Sequence, residues 1–129
     1  MKKMNSKIKK LWVNALRSGK FRQGQLRLVK KDENKHLKYC CLGVLCKLYI
    51  QETGDNIFSK DNYTFAGERY DLPKKVKKWA GLSSDQINED TIVSKSKNSD
   101  DGYCVGLIAI NDDTEIGFKG IADIIEKQL

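Results

Sequence analysis

Ile8, Leu11, Trp12, Ala15 and Leu16 fall at i, i+3, i+4, i+7 and i+8, one apolar stripe on an otherwise basic segment. That spacing is the tightest constraint on the fold. It predicts an amphipathic helix whose apolar face must lie against another layer of structure. Asn5 or Ser6 can cap the start of this helix, and Gly19 can end it.

The rest of the chain supplies the layers. Gln25 to Lys30 alternates, with Leu26 and Leu28 pointing one way and Arg27 and Val29 the other. Asp32-Glu33-Asn34-Lys35 reads as a turn, and Leu37 to Tyr39 as the return strand of a hairpin. A second helix begins near Cys40 or Cys41, carries Leu42, Leu45, Cys46 and Tyr49, and stops at Gly54. Gly43 weakens that helix, so its presence implies close packing. Ile57-Phe58 and Tyr63-Thr64-Phe65 suggest a second hairpin. Pro73 fits the first turn of a third helix with Val76, Trp79 and Ala80, stopped by Gly81. A last helix holds Phe118, Ile121, Ala122 and Ile125 on one face. Residues 83–101 are polar, with a strand expected at Thr91 to Ser94. Cys104 to Ile110 is apolar and short, so strand and helix both stay open. The expected architecture is α+β: residues 1–129 as one compact domain, about four helices packed on short antiparallel hairpins. Leu11, Trp12, Leu16, Leu42, Leu45, Val76, Trp79, Ile121 and Ile125 are expected to form one core.

Composition narrows the function classes. With 129 residues, 40% apolar and 32% charged, the chain can bury a core without disulfides or metals. No stretch reaches the roughly 18 apolar residues of a membrane span. Lysines, and no apolar core, follow Met1, so neither export nor membrane insertion is expected. Adjacent Cys40 and Cys41 suit a reducing compartment, and the expected location is cytoplasmic. The net charge of +7 is unevenly spread. Residues 1–38 carry 13 basic against two acidic side chains, and residues 83–129 carry four against ten. A basic front third implies an anionic partner, or else it faces the acidic last third within the monomer or across a dimer.

Four candidate chemistries present themselves. His36, Cys40, Cys41 and Cys46 give His-x3-Cys-Cys-x4-Cys, which lacks the short Cys-x2-Cys knuckles of structural zinc sites, so core packing is expected and no metal. His36 is the only histidine and lies in a lysine-rich turn, so no imidazole triad is expected. Asp112 and Asp113 read as turn and cap residues before a helix. The segment from Arg17 to Arg27 is the most suggestive. Gly19 and Gly24 let backbone approach a ligand, and Arg17, Lys20, Arg22 and Arg27 can contact phosphates. Phe21 or Tyr39 can offer a face to a base, and Gln23 or Asn111 an edge contact. The Gly-x4-Gly-Lys-Ser/Thr order of a phosphate-binding loop is absent. A helix C-cap followed by a solvated loop would account for the same residues.

Several runs carry a family resemblance: Trp12-Val13-Asn14-Ala15-Leu16-Arg17-Ser18-Gly19, Gln23-Gly24, Tyr39-Cys40-Cys41-Leu42-Gly43-Val44-Leu45-Cys46, Leu72-Pro73, Val76, Trp79-Ala80-Gly81-Leu82, Asn111-Asp112 and Phe118 with Ile121-Ala122-Asp123. In this order they resemble a family of small proteins encoded by tailed bacteriophages and prophages. The polar stretch 83–101 departs from that pattern. The resemblance implies phage origin. By analogy with small phage accessory proteins, the expected function is to bind and sequester a phosphorylated nucleotide immune signal without cleaving it, needing no cofactor. The ligand would be a cyclic dinucleotide or an ADP-ribose derivative, held by Arg17, Lys20, Phe21, Arg22, Gln23, Gly24, Arg27, Tyr39 and Asn111. A nucleic-acid-binding phage regulator and a nucleotide-cleaving enzyme are the alternatives, and a homo-oligomer fits any of the three.

Overall fold

The computed structural model describes residues 4–82, 92–94, 103–105, 111 and 116–129, with 92–94 and 103–105 described by backbone alone. The architecture is α+β. In chain order it runs α1 (Ser6–Arg17), β1 (Arg22–Gln23), β2 (Val29–Lys31), β3 (Leu37–Tyr39), α2 (Cys41–Thr53), β4 (Phe58–Ser59), β5 (Thr64–Phe65), α3 (Lys74–Ala80), β6 (Ile92–Ser94), β7 (Tyr103–Val105) and α4 (Phe118–Gln128).

Asn5 caps α1, its side-chain oxygen accepting from the Lys7 and Ile8 N–H groups at 3.0 and 3.1 Å. The stripe buries Ile8, Trp12 and Leu16 and adds Val13, while Leu11 and Ala15 sit half-buried at its edge. The buried face of α1 rests on α2 and α4. Trp12 donates its indole N–H to the Cys41 carbonyl at 2.9 Å, which fixes α1 to the first turn of α2. α4 contributes Phe118, Ile121, Ala122 and Ile125 to the same core, the four positions expected from their spacing.

β2 and β3 form the expected antiparallel hairpin, with Val29 opposite Tyr39. Two features of this region differ from the alternating pattern. First, β1 lies on the far side of β3 and runs parallel to it, giving the order β1-β3-β2. Second, residues 24–28 do not extend β2. They arc around the end of β3 to carry the chain from one sheet edge to the other. At the two ends of the arc, Gly24 donates its N–H to the Tyr39 carbonyl at 2.8 Å, and the Leu28 carbonyl accepts from the Cys40 N–H at 3.2 Å. An arc cannot keep a two-residue alternation. Leu28 and Val29 are therefore both buried, whereas Leu26 turns outward with φ +73°.

The arc presses on α2. Gly43 is the residue beneath it: a β-carbon there would overlap the Leu28 carbonyl oxygen and lie 2.9 Å from its carbon. α2 is the central helix, with Cys41 through Cys46, Leu48 and Tyr49 all buried. Gly54 ends it in the left-handed region.

β4 and β5 make the expected second hairpin. Pro73 sits at the N-cap of α3, one residue before the first turn, and Gly81 closes the helix with φ +74°. Val76 is buried. Trp79 lies at the rim with its ring edge-on to Tyr49, centroids 5.4 Å apart, and not in the core. Of the nine expected core residues, Leu11 and Trp79 are thus half-buried and the other seven buried. β6 and β7 pair antiparallel, so the strand expected at 91–94 is present and the apolar run from Cys104 starts as a strand. Residues 106–110, Asp112 and Asp113 lie outside the described residues. Among the described residues, no helix is long and apolar enough to cross a membrane.

Candidate functional site

The residues singled out between Arg17 and Asn111 fall into three environments, with Arg22 and Arg27 outside them. The first is a buried polar junction where β3 hands over to α2. Cys40 occupies the N-cap of α2 and gives no side-chain cap. The acceptor comes from Asn111, seventy residues downstream. Its side-chain oxygen accepts from the Cys41 N–H at 2.9 Å and from the Gln23 amide at 3.3 Å, and its own amide donates to the Gly24 carbonyl at 2.8 Å. Gln23 also donates to the Ile116 carbonyl at 3.2 Å. Asn111 is fully buried, so Gln23, Gly24, Tyr39 and Asn111 come together as expected, but their polar groups point at one another. Tyr39 is buried as well, its ring edge-on to Phe21 with centroids 5.5 Å apart, and burial raises its phenol above the ordinary value. This junction positions neighbouring elements.

The second environment is the ion-pair seam between α1 and α4. The Arg17 guanidinium donates to Asp123 and Glu126, each at 2.6 Å. These hydrogen bonds, to Asp123 and then to Glu126, raise its pKa further above an already high value. The basic front of the chain therefore meets the acidic last third within one monomer, at this point. Arg22 is exposed on β1. Arg27 lies half-buried on the arc at the other end of the sheet.

The third environment is a groove of about 300 Å³ between the end of α1, the loop after it and the outer face of α2. Lys20 and Phe21 enter it from the loop, Asn14 and Ser18 from α1 and its C-cap, and Gln51 from α2. Leu11, Ala15 and Leu48 form its apolar side. Lys47 stands one helical turn before Gln51 on the same face of α2. The lining holds no carboxylate, imidazole or thiol. It offers a cation, one aromatic face and two side-chain amides, which is binding chemistry rather than bond-breaking chemistry.

Cys40, Cys41 and Cys46 are all buried. Burial, with Cys40 adding to it, pushes the Cys46 thiol well up, so it stays protonated and unreactive. Among the described residues, no group of three or more His, Cys, Asp or Glu side chains is placed to hold a metal ion. A second hollow, about 370 Å³, lies on the β2–β3 turn and mixes Lys30, Lys31 and Lys38 with Asp32 and Glu33. There the Asp32 carboxylate accepts the His36 and Asn34 N–H groups at 2.8 and 2.9 Å. The His36 bond, foremost, holds Asp32 below its ordinary 3.8. A depressed carboxyl contributes stability above its unfolded value and loses it as pH falls through the folded one. The turn is therefore expected to loosen only below about pH 3.8. A fall in amide protection at His36 and Asn34, relative to the unfolded chain at the same pH, across that window would show it; protection already lost near neutral pH would contradict it.

The comparisons with known proteins follow the same span. A family model described as a domain of unknown function (DUF8296) matches residues 4–129. The chain belongs to the DUF8296 family. No curated protein and no solved structure matches it. The DUF8296 match covers all three environments, from α1 to α4.

Asn14, Lys47 and Gln51 are not candidates from the sequence. Asn14 and Gln51 stand on helices far apart in the chain, and only the packing of α1 on α2 makes them neighbours. The structural role of Asn111 did leave a trace. A helix opening Tyr-Cys-Cys-Leu has no local capping residue, so its first N–H groups must be satisfied from elsewhere.

Proposed function

We propose that this protein is a phage accessory protein that binds a phosphorylated nucleotide signal in the groove between α1 and α2 and sequesters it without cleaving it. One observation carries the reading: Lys20 and Phe21 share a groove of about 300 Å³ with two side-chain amides and no acidic side chain. Phe21 supplies a face for a base, Asn14 and Gln51 supply edge contacts, and Lys20, with Lys47 nearby, meets phosphate. The volume is at the low end of ligand sites, which run from about 300 Å³ upward, and so favours a single nucleotide unit or one half of a cyclic dinucleotide. Arg17 is engaged by α4, which moves the expected phosphate contact from Arg17 to Lys20. The phage assignment rests on the family resemblance of the sequence.

Isothermal calorimetry with cyclic dinucleotides, cyclic ADP-ribose isomers and linear mononucleotides tests this. Lys20→Ala and Phe21→Ala are each expected to weaken binding by about tenfold or more, since an ionic hydrogen bond contributes roughly 1.5–3 kcal/mol. Arg27→Ala, at the other end of the sheet, is expected to leave it unchanged. No heat from any nucleotide would sink the proposal, and turnover of one would replace it with the enzyme reading. A second reading has its own observation. α3 carries Lys74, Lys75, Lys77 and Lys78 within seven residues, and Asn5, at the start of α1, donates to its Ala80 carbonyl at 2.8 Å, placing Lys7 beside it. A DNA or RNA shift with steep salt dependence, without any nucleotide response, would favour a nucleic-acid regulator.

A further inference from the structure

We infer that the ligand is a cyclic dinucleotide with guanine as one of its bases, and that this guanine sits in a second hollow beside the Phe21 groove. The inference rests on the reading that the Phe21 groove holds a nucleotide. The second hollow, about 230 Å³, lies in the same crease between α1 and α2. Lys7 and Leu11 line it from α1, Glu52 from α2 and Trp79 from α3. Leu11 lines both hollows, and on α2 the neighbours Gln51 and Glu52 take one each. The two spaces are therefore side by side, parted by the Leu11 side chain. From Lys7 to Asn14 is about 10 Å along α1 at a rise of roughly 1.5 Å per residue, a step that two nucleosides joined through phosphates can span. Leu11 and Trp79 are also the two expected core residues that the fold leaves half-buried.

The two hollows repeat one scheme with one difference. Each has an aromatic side chain and a lysine: Phe21 with Lys20 in the first, Trp79 with Lys7 in the second. Two aromatic rings and two cations match the two bases and two phosphates of a cyclic dinucleotide. Neither space alone exceeds the low end of ligand sites, about 300 Å³, whereas the pair lies within their range. The difference is Glu52. Its carboxylate forms no ion pair among the described residues, with Lys7 or with any other side chain. A carboxylate repels phosphate, so its place is at the base. When ionised it can only accept hydrogen bonds. Guanine alone among the common bases sets two adjacent donors, the N1–H and N2–H groups, on its Watson–Crick edge, whereas adenine turns its N1 acceptor to the same place. The first hollow has the amides of Asn14 and Gln51, which both donate and accept, so it takes either purine.

Calorimetry on the full chain with cyclic di-GMP, cyclic GMP–AMP, cyclic di-AMP and AMP tests this. The two guanine-bearing rings are expected to bind about tenfold or more tightly than cyclic di-AMP, the ratio that a bidentate contact to a base edge sustains. Glu52→Gln replaces two acceptors by one acceptor and one donor, the pattern that adenine pairs with, so the guanine preference is expected to fall to parity or below. Glu52 is exposed, so this variant keeps its fold. Trp79→Leu keeps an apolar side chain against Tyr49 but removes the stacking ring. It is expected to weaken cyclic GMP–AMP about tenfold more than it weakens AMP, which needs only the Phe21 groove. Rings that bind no more tightly than AMP, or a guanine preference that survives Glu52→Gln, overturn the inference. The groove reading then still stands if Phe21→Ala weakens AMP. No heat from any of the four ligands overturns both.

Discussion

Gly43→Ala is expected to destabilise the protein by about 3 kcal/mol, the upper end of what overpacking costs. The sign is what makes this informative. In an ordinary helix, replacing glycine with alanine stabilises by roughly 0.5–1 kcal/mol, because alanine loses less backbone freedom on folding. At Gly43 the added methyl would overlap the Leu28 carbonyl oxygen, which belongs to main chain and cannot swing aside. Relief requires lifting the arc off α2, which breaks the bond between Leu28 and the Cys40 N–H. Gly120 in α4 is the matched control. A methyl there meets Ile116 Cγ2 at 3.4 Å, an ordinary contact, so Gly120→Ala should be neutral or mildly stabilising. Chemical denaturation of both variants reads the difference. Equal and favourable shifts would mean that the arc does not rest on α2 as described.

Asn111→Ala is expected to cost about 2–5 kcal/mol, because it removes the acceptor of the Cys41 N–H and the donor to the Gly24 carbonyl, each a buried polar loss of roughly 1–3 kcal/mol. Asn111→Asp sharpens the test. When protonated, the acid can still accept from Cys41 and donate its hydroxyl hydrogen to Gly24. When ionised, it is a buried charge facing a carbonyl oxygen. Its folded-state pKa should therefore be raised. A raised carboxyl leaves the fold most stable below the unfolded value of about 3.9 and less stable as pH climbs through the folded value. Melting relative to the parent chain should thus be nearly preserved at low pH and worsen toward neutrality. A constant offset across pH would show that the carboxyl is solvated, and so that residue 111 is not buried at this junction.

The helices were legible because each announces itself within its own span. The stripe of α1, the Gly54 stop of α2 and the face of α4 are local patterns, and local patterns survive folding. Gly43 was legible too, since a costly residue inside an apolar helix implies something close by. The arc was not. Gln25-Leu26-Arg27-Leu28 alternates like a strand, but β3 ends at Tyr39, opposite Val29, where α2 takes over, and the Leu28 backbone bonds to Cys40 and Arg69. The candidate site was read in part. Gln23, Gly24, Tyr39 and Asn111, named from the sequence as ligand contacts, lie close together, and only the structure tells that their polar groups are spent on each other. Arg17 could not be read at all without α4, because a surface arginine and a paired one have the same sequence neighbours.

The junction at Asn111 also dictates an order of events during synthesis. Arg17 waits for partners 106 and 109 residues downstream, Gly24 for one 87 away, and Cys41 for one 70 away. Until the segment carrying those partners is made, the first turn of α2 is expected to lack its cap and one side of α1 its cover. Long-range closure of this kind slows folding and leaves sticky surface waiting. Full closure is therefore expected to await the segment carrying Asn111 and α4, a keystone set last into elements that already lean on one another.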